Sequence, residues 1–281
     1  MNDALLTVTG ITKRFGGLTV VNGVGFAVAP GEVLSIIGPN GSGKTSTLNI
    51  VSGVLAADAG EVDLAGVKLT GRRPHQIARL GLTRTFQNGR VIGNLTVQDN
   101  VLVGLDGLGQ RRSKLRELPG LRWLPLLGET FAALFARRSA AGADAAADAR
   151  VTRQLERFGE RLLPRRGQYA FTLSYANRRR TEIARALVAE PRILVLDEPT
   201  AGMNQTETSE VLEQLLELKR HGQTILLVEH KLDLVMTLSD RIIVLDEGRI
   251  IAEGTPAEVR SDPRVIEAYL GTTFTKEHAD D

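Results

Sequence analysis

The sequence predicts an α/β fold, with an antiparallel β subdomain beside the core and an α-helical subdomain inserted into it. Three short apolar runs, 33–37, 193–197 and 224–228, have the composition of strands that are buried on both faces. Helical patterns separate these runs, and turn residues punctuate the first strands. The expected parts of this single domain (1–281) are the core at 1–86 and 191–253, the helical subdomain at 87–190, and a C-terminal helix and tail at 254–281.

Composition limits the classes of protein to consider. The 281 residues are 42% hydrophobic and 24% charged, which is typical of a globular domain. The net charge of +2 is too small to indicate a nucleic-acid partner, and none is expected. No cysteine is present, which excludes disulfides, thiolate nucleophiles and zinc–thiolate sites. We find neither a signal-peptide pattern nor a run of about 18 apolar residues, so we expect any membrane role to come through a partner.

A phosphate-binding motif follows the first apolar run. Residues 38–45 fit the pattern G-x-x-x-x-G-K-[ST] at every specified position, and a helical pattern follows them. Glycines let successive backbone N–H groups point inward at an anion, and the start of a helix adds positive potential. Lys44 is expected to reach the β- and γ-phosphates and Thr45 to ligate Mg²⁺. The expected nucleotide-binding residues are Gly38, Pro39, Asn40, Gly41, Ser42, Gly43, Lys44, Thr45 and Ser46. The core is therefore predicted to be a phosphate-loop NTPase.

The early strands are assigned to the β subdomain. Residues 5–9 alternate like an exposed-edge strand, 24–28 form another strand, and 61–69 read as a hairpin that breaks at Gly66. Phe15 is placed in a turn between the first two strands. It is either an ordinary core aromatic or a platform on which a flat ring such as adenine stacks.

Polar residues follow the other two apolar runs. Asp197 and Glu198 end the second run, at the strand end where ligands meet parallel sheets. Asp197 is expected to hold the Mg²⁺ shell, and Glu198 to orient and deprotonate an attacking water. The alternative is a solvated pair of acids. Glu229 and His230 follow the third run, and His230 could contact a γ-phosphate or be merely structural.

The helical part carries weaker signals. Ser174 is a good N-cap with Asn177 at N3, and such a start is either an anion site or only a cap. Gln87 opens a loop with Val91 and Ile92 near its tip, which suggests docking unless they fold inward. The basic and apolar insertion 105–150 either rests near a membrane or packs on its own lobe.

Together these motifs resemble the ATP-binding subunits of ABC transporters, in the order that this family has them. The resemblance implies that Phe15 stacks on adenine, Lys44 and Thr45 hold phosphates and Mg²⁺, and Asp197 orders the metal. It further implies that Glu198 is the catalytic base, that His230 senses the γ-phosphate, and that Gln87 is a catalytic, metal-linked sensor meeting the membrane partner. By the same resemblance, Ser174 serves the ATP of a facing subunit, and the loop 201–204 makes the dimer contact. ATP and Mg²⁺ are the cofactors that it implies.

A closer likeness is to the ATPases of branched-chain amino-acid importers. It rests on residues 14–18, 84–87, 265–271 and the insertion after Leu102. It implies an ATP-hydrolysing subunit at the cytoplasmic face of the cell membrane, paired with an identical or different ATPase subunit. Permease subunits would dock near Gln87–Gly93, and a solute-binding protein would act outside the cell.

Several alternatives remain at this point. One is the ATPase of another transporter, for urea, amides or lipids, and another is a soluble ABC ATPase that does not transport. A kinase needs an acceptor site and a GTPase an Asn-Lys-x-Asp motif, and neither is found. An inactive ATP binder is disfavoured by the intact motifs.

The signature departs from the family's usual L-S-G-G-Q. Tyr175 and Ala176 replace the glycines, and Asn177 replaces glutamine. Asn177 is one methylene shorter and is expected to lose a hydrogen bond, a modest effect. If one composite site is weaker, we expect it to be the one that uses the partner's phosphate loop.

Overall fold

A computed structural model describes residues 4–85, 91–106 and 145–269 as two sheets and the helices that cover them. In chain order its main elements are β1 (Leu6–Phe15), β2 (Leu18–Val28), β3 (Val33–Ile37), α1 (Lys44–Val51), β4 (Ala59–Leu64), β5 (Val67–Lys68), α2 (Pro74–Arg79), β6 (Leu82–Arg84), α3 (Val97–Asp106), α4 (145–157), α5 (Gly159–Leu162), α6 (Tyr175–Leu187), β7 (Ile193–Asp197), α7 (Gln205–Arg220), β8 (Thr224–Val228), α8 (Leu232–Leu238), β9 (Arg241–Asp246), β10 (Arg249–Gly254), α9 (Pro256–Ser261) and α10 (263–269). The α/β class predicted from the sequence is confirmed.

The larger sheet forms the core. Its order is β10-β9-β3-β8-β7-β6, parallel except where β10 pairs with β9. Every residue of β3, β7 and β8 is buried, which explains why these strands are mostly apolar rather than alternating. Because the three strands are parallel, their carboxyl ends meet at one edge of the sheet. The phosphate loop, the Asp197–Glu198 pair and His230 all follow these ends.

The smaller sheet is antiparallel, in the order β2-β1-β4-β5. The hairpin predicted to break at Gly66 is confirmed. The prediction that the first strand lies at an edge is wrong, because β1 pairs with β2 on one side and β4 on the other. Alternation reports one buried and one exposed face, and it does not distinguish an edge strand from a central one. β1 also extends through Phe15, so the turn is confined to Gly16 and Gly17.

Helix starts follow the capping chemistry that the sequence indicates. The Ser174 hydroxyl accepts a hydrogen bond from the Asn177 backbone N–H at 3.3 Å. Asn204 and Glu207 form a reciprocal capping box at the start of α7. The Ser174 cap predicted from the sequence is confirmed, and it fixes where the helix α6 begins.

The segment between β6 and β7 contains the helices α3 to α6, which share an apolar core. Helices α3 and α6 approach so closely at Gly104 that a Cβ there would lie 2.2 Å from the carbonyl oxygen of Arg185. Most of the insertion 105–150 lies outside the described residues. The subdomain boundaries at 87 and 190 therefore stay a prediction.

Candidate functional site

The phosphate loop connects the end of β3 to the start of α1. At Gly38 φ is 147°, and a Cβ would lie 1.9 Å from the carbonyl oxygen of Leu245. At Gly43 φ is 99°, and a Cβ would lie 2.6 Å from the carbonyl oxygen of Val20. Both positions therefore require glycine, for steric as well as conformational reasons. The second contact also places the β1–β2 hairpin against the loop.

Lys44 lies under the loop rather than in solvent. Its Nζ donates to the carbonyl oxygens of Gly38 at 2.8 Å and Pro39 at 2.7 Å. Burial lowers the pKa of Lys44, while the nearby carboxylates of Glu198 and Asp197 act in the opposite direction. The ammonium group is thus held among acceptors, close to both acids. An anionic ligand could take over these interactions because its oxygens are stronger acceptors than carbonyls.

Asp197 is almost completely buried and pairs with a residue that the sequence did not single out for this role. Its Oδ2 accepts from Arg84 at 2.8 Å, and both side chains are at most 5% exposed. Arg84 also donates to Asn49 Oδ1 and Ser52 Oγ, both at 2.8 Å, on the phosphate-loop helix and at its C-cap. In the sequence, Arg84 was singled out only as part of residues 84–87, which carry the likeness to the importer ATPases.

The other carboxylate oxygen of Asp197 bears on metal binding. Oδ1 is buried and has no hydrogen-bond partner among the described residues. An acceptor without a partner could bind Mg²⁺ directly or through a water molecule of its shell. The Thr45 hydroxyl, at the start of α1, would be a second oxygen ligand. No cluster of three or more His, Asp or Glu able to hold a metal occurs within 4–85, 91–106 and 145–269. A divalent cation here would depend on phosphate oxygens for the rest of its ligands.

Glu198 and His230 are in direct contact. The Nε2 of His230 lies 2.9 Å from Oε1 of Glu198. The preceding residue, Glu229, is buried and accepts from the Thr200 N–H at 3.2 Å, the Thr200 hydroxyl at 3.0 Å and the His230 N–H at 3.0 Å. Glu229 therefore ties the segment after Glu198 to the segment that carries His230. The structure brings Lys44, Asp197, Glu198 and His230 together at one edge of the sheet.

Phe15 is not part of the core. Its side chain is 51% exposed, and the Lys13 ammonium lies 5.5 Å from the ring centroid. The alternative that Phe15 is an ordinary core aromatic is therefore wrong. The hairpin that carries Phe15 lies against the phosphate loop at Val20, and the ring itself is exposed.

The signature segment, residues 173–177, is partly exposed at the start of α6. Ser174 is exposed, and Tyr175 is 47% exposed beside Gly202, where a Cβ would lie 3.4 Å from Tyr175 Cε1. Asn177 is nearly buried, and its Oδ1 accepts from Arg180 at 2.9 Å. The side chain of Asn177 is thus engaged within its own subunit. Predicted residue Gln87 lies outside the described residues.

Comparison with protein-family models identifies two matches. Residues 21–201 match the model described as "ABC transporter". Residues 249–275 match the model described as "Branched-chain amino acid ATP-binding cassette transporter".

Curated relatives match over nearly their whole length. The high-affinity branched-chain amino acid transport ATP-binding protein LivG of Escherichia coli K12 is 42% identical over 96% of this chain and 99% of its own. The corresponding protein BraF of Pseudomonas aeruginosa is 40% identical with the same coverage.

Solved structures show the same fold. A crystal structure of an ATP-binding cassette of an ABC transporter in its ADP conformation has a TM-score of 0.76 and 33% identity, covering 96% of this chain and 100% of that one. A dimeric ATP-binding cassette bound to ADP and Pi has a TM-score of 0.68 at 23% identity, covering 89% and 98%. Across the ranges that the structure describes, no helix combines the length and hydropathy needed to cross a bilayer.

Proposed function

The chain belongs to the ATP-binding subunits of ABC transporters, and on that premise we propose that it hydrolyses ATP to drive import of branched-chain or related amino acids. The observation that carries this proposal is the convergence of Lys44, Asp197, Glu198 and His230 at the end of the phosphate loop. The choice of solute rests on the two curated relatives and on the family model at 249–275.

The chain's own residues divide the chemistry among them. Lys44 and the loop amides would bind the β- and γ-phosphates, and Phe15 would stack on adenine. Glu198 would accept a proton from the attacking water, since its carboxylate is held at the strand end. His230 Nε2, 2.9 Å from that carboxylate, would orient Glu198 and contact the γ-phosphate.

Mg²⁺ would be held by Asp197 and Thr45, with Gln87 as a further contributor. The metal supplies charge neutralisation at the transferring phosphoryl group. Arg84 keeps Oδ2 of Asp197 engaged, which leaves Oδ1 for the metal shell.

A second ATPase subunit, identical or different, would complete each site. The exposed Ser174 start of α6 and the adjacent loop 201–204 form the surface that would face it. Ser174 would then serve the nucleotide held by the facing phosphate loop.

Permease subunits would dock near Gln87–Gly93, which would place the chain peripherally on the cytoplasmic face of the cell membrane. Ile92 is 45% exposed in this region, and the stacked rings of Tyr169 and Phe171 are exposed beside it. An exposed apolar cluster of this kind is typical of a protein contact. A solute-binding protein outside the cell would act through the permeases.

Co-purification from detergent-solubilised membranes tests the assignment. Two membrane-spanning proteins should accompany the chain, and ATPase activity of the complex should rise with a loaded amino-acid-binding protein. If amides or lipids, but not amino acids, stimulate the ATPase activity of the complex, the proposal that the solute is an amino acid would be refuted. If the chain purifies from these membranes with ATPase activity but with no membrane-spanning protein, the proposal that it serves a transporter would be refuted.

A further inference from the structure

We propose that Arg179 is a positioning residue that holds Glu198 in place and links it to the signature helix α6. Arg179 lies in the first half of α6, and its side chain is 1% exposed. One guanidinium nitrogen donates to the backbone carbonyl oxygens of both Asp197 and Glu198, each at 2.8 Å. A single side chain thus joins the helix to the two residues on which hydrolysis is proposed to depend.

Glu182, one turn along α6, orients the guanidinium. Its Oε2 accepts from the other terminal nitrogen of Arg179 at 2.8 Å, and both side chains are almost fully buried. A planar guanidinium that is held on one side by a carboxylate presents its remaining N–H groups in a fixed direction. Lysine could not reproduce this arrangement because its ammonium has no fork.

The backbone of Glu198 needs such support. Its φ is 47°, in the left-handed region that is strained for a residue with a side chain unless the surrounding structure holds it. The Glu198 N–H donates to Val228 at 2.8 Å, and its carbonyl accepts from Arg179. The two hydrogen bonds fix the peptide groups on either side of the Glu198 Cα, and so the direction in which the carboxylate leaves the chain.

The contact has a consequence for the pair of sites. The same helix that carries Arg179 begins at Ser174, which is proposed to serve the facing subunit's nucleotide. A shift of α6 on engaging that nucleotide would therefore reach Glu198 of its own subunit through Arg179. This inference rests on the proposed roles of Glu198 and Ser174.

A double-mutant cycle tests the proposal, in the complex that hydrolyses ATP. Arg179→Gln should lower kcat up to about 100-fold, as misplacement of a catalytic group by about 1 Å can do, with little change in KM for ATP. Arg179→Lys should lower kcat less, since an ammonium can still reach one carbonyl. In a Glu198→Gln background, Arg179→Gln should have almost no further effect.

Arg185→Gln is the matched control. Arg185 lies on the same helix, two turns further along, and pairs with the same Glu182 at 4.0 Å. Its loss should leave kcat near the wild-type value. If Arg179→Gln does not fold, Glu182→Gln provides the second test, because it leaves the guanidinium in place but less firmly oriented.

The outcomes distinguish a failure of the positioning role of Arg179 from a failure of the proposed role of Glu198. Equal losses from Arg179→Gln in both backgrounds, or a raised KM with unchanged kcat, would overturn the positioning role. A fall in kcat from Arg185→Gln as large as that from Arg179→Gln would also overturn it. A Glu198→Gln variant with near-normal turnover would instead refute the proposed role of Glu198 itself.

Discussion

His230 Nε2 and Glu198 Oε1 lie 2.9 Å apart, and each is anchored from behind by a different residue. The His230 N–H donates to the buried carboxylate of Glu229, and the Glu198 carbonyl accepts from Arg179. The side chains therefore meet because the ends of β7 and β8 are fixed, and Glu229 also joins these two ends to each other. Glu198, the proposed proton acceptor, is therefore held at its backbone as well as at its side chain.

Glu198→Gln should remove hydrolysis and spare binding. An amide keeps the size of the side chain and its contact with His230 but cannot accept a proton, so we expect kcat to fall by about 10²–10⁴-fold. Phosphate release would measure kcat, and a fluorescent ATP analogue would measure binding. Glu213→Gln, at an exposed carboxylate of α7, is the control. Turnover near wild type in Glu198→Gln would leave the reaction without its proposed base.

Phe15→Ala should weaken ATP binding without weakening the fold. Base stacking on an aromatic ring contributes about 1–3 kcal/mol, so the dissociation constant should rise by roughly 5–150-fold. Phe15→Tyr should bind almost normally, since the ring is kept. Leu18→Ala is the control at the other end of the same turn, where the side chain is 68% exposed. Unchanged ATP affinity in Phe15→Ala would exclude the ring from the adenine site.

Arg84→Met should destabilise the fold strongly. It leaves the buried carboxylate of Asp197 without its cation, a change that typically costs about 3–5 kcal/mol in the free energy of unfolding. Urea denaturation would measure it. Arg264→Met, at the exposed pair with Asp262, should change the free energy of unfolding hardly at all.

Adding Asp197→Asn to Arg84→Met isolates the electrostatic part of that loss. The neutral amide no longer needs a cation, so the double variant should be more stable than the sum of the two single changes predicts. Strictly additive losses would mean that Arg84 stabilises the fold through Asn49 and Ser52 instead.

Tyr269 should make the fold sensitive to alkaline pH. The ring packs on the cluster that contains Ile37 and Val244, and burial raises the pKa of its hydroxyl, although a hydrogen bond with the Gly38 backbone opposes this. A raised pKa stabilises the folded state below the ordinary value of about 10 and loses that contribution as pH rises through the folded pKa. Tyr269→Phe should flatten this loss in urea unfolding measured on either side of about pH 10. The same alkaline fall in both proteins would exclude Tyr269 as its source.

Local patterns predicted the parts of the site that depend on neighbours in sequence. The strand 33–37, the glycines after it and the serine cap at 174 each follow from a few consecutive residues, and the structure has all three. Steric limits on Gly38 and Gly43 come from Leu245 and Val20, yet the motif alone indicated that glycine is needed there.

Partners distant in sequence were not predicted. Arg84 and Asp197 are 113 positions apart, and Arg179 and Glu198 are 19 apart across a strand and a turn. The sequence of α6 has three consecutive arginines, and it does not show which of them is buried against the backbone carbonyls at the end of β7. The edge assignment of β1 failed for the same reason, since sheet order is set by pairing between distant segments.

Helices α3 and α6 touch backbone to backbone at Gly104, with 2.2 Å between the place of a missing Cβ and the Arg185 oxygen. Two helices packed this closely cannot slide along each other, because an offset would bring a side chain of α3 into the carbonyl oxygen of Arg185. If permeases dock near Gln87–Gly93 as proposed, a displacement of α3 would therefore also displace α6, which begins at Ser174.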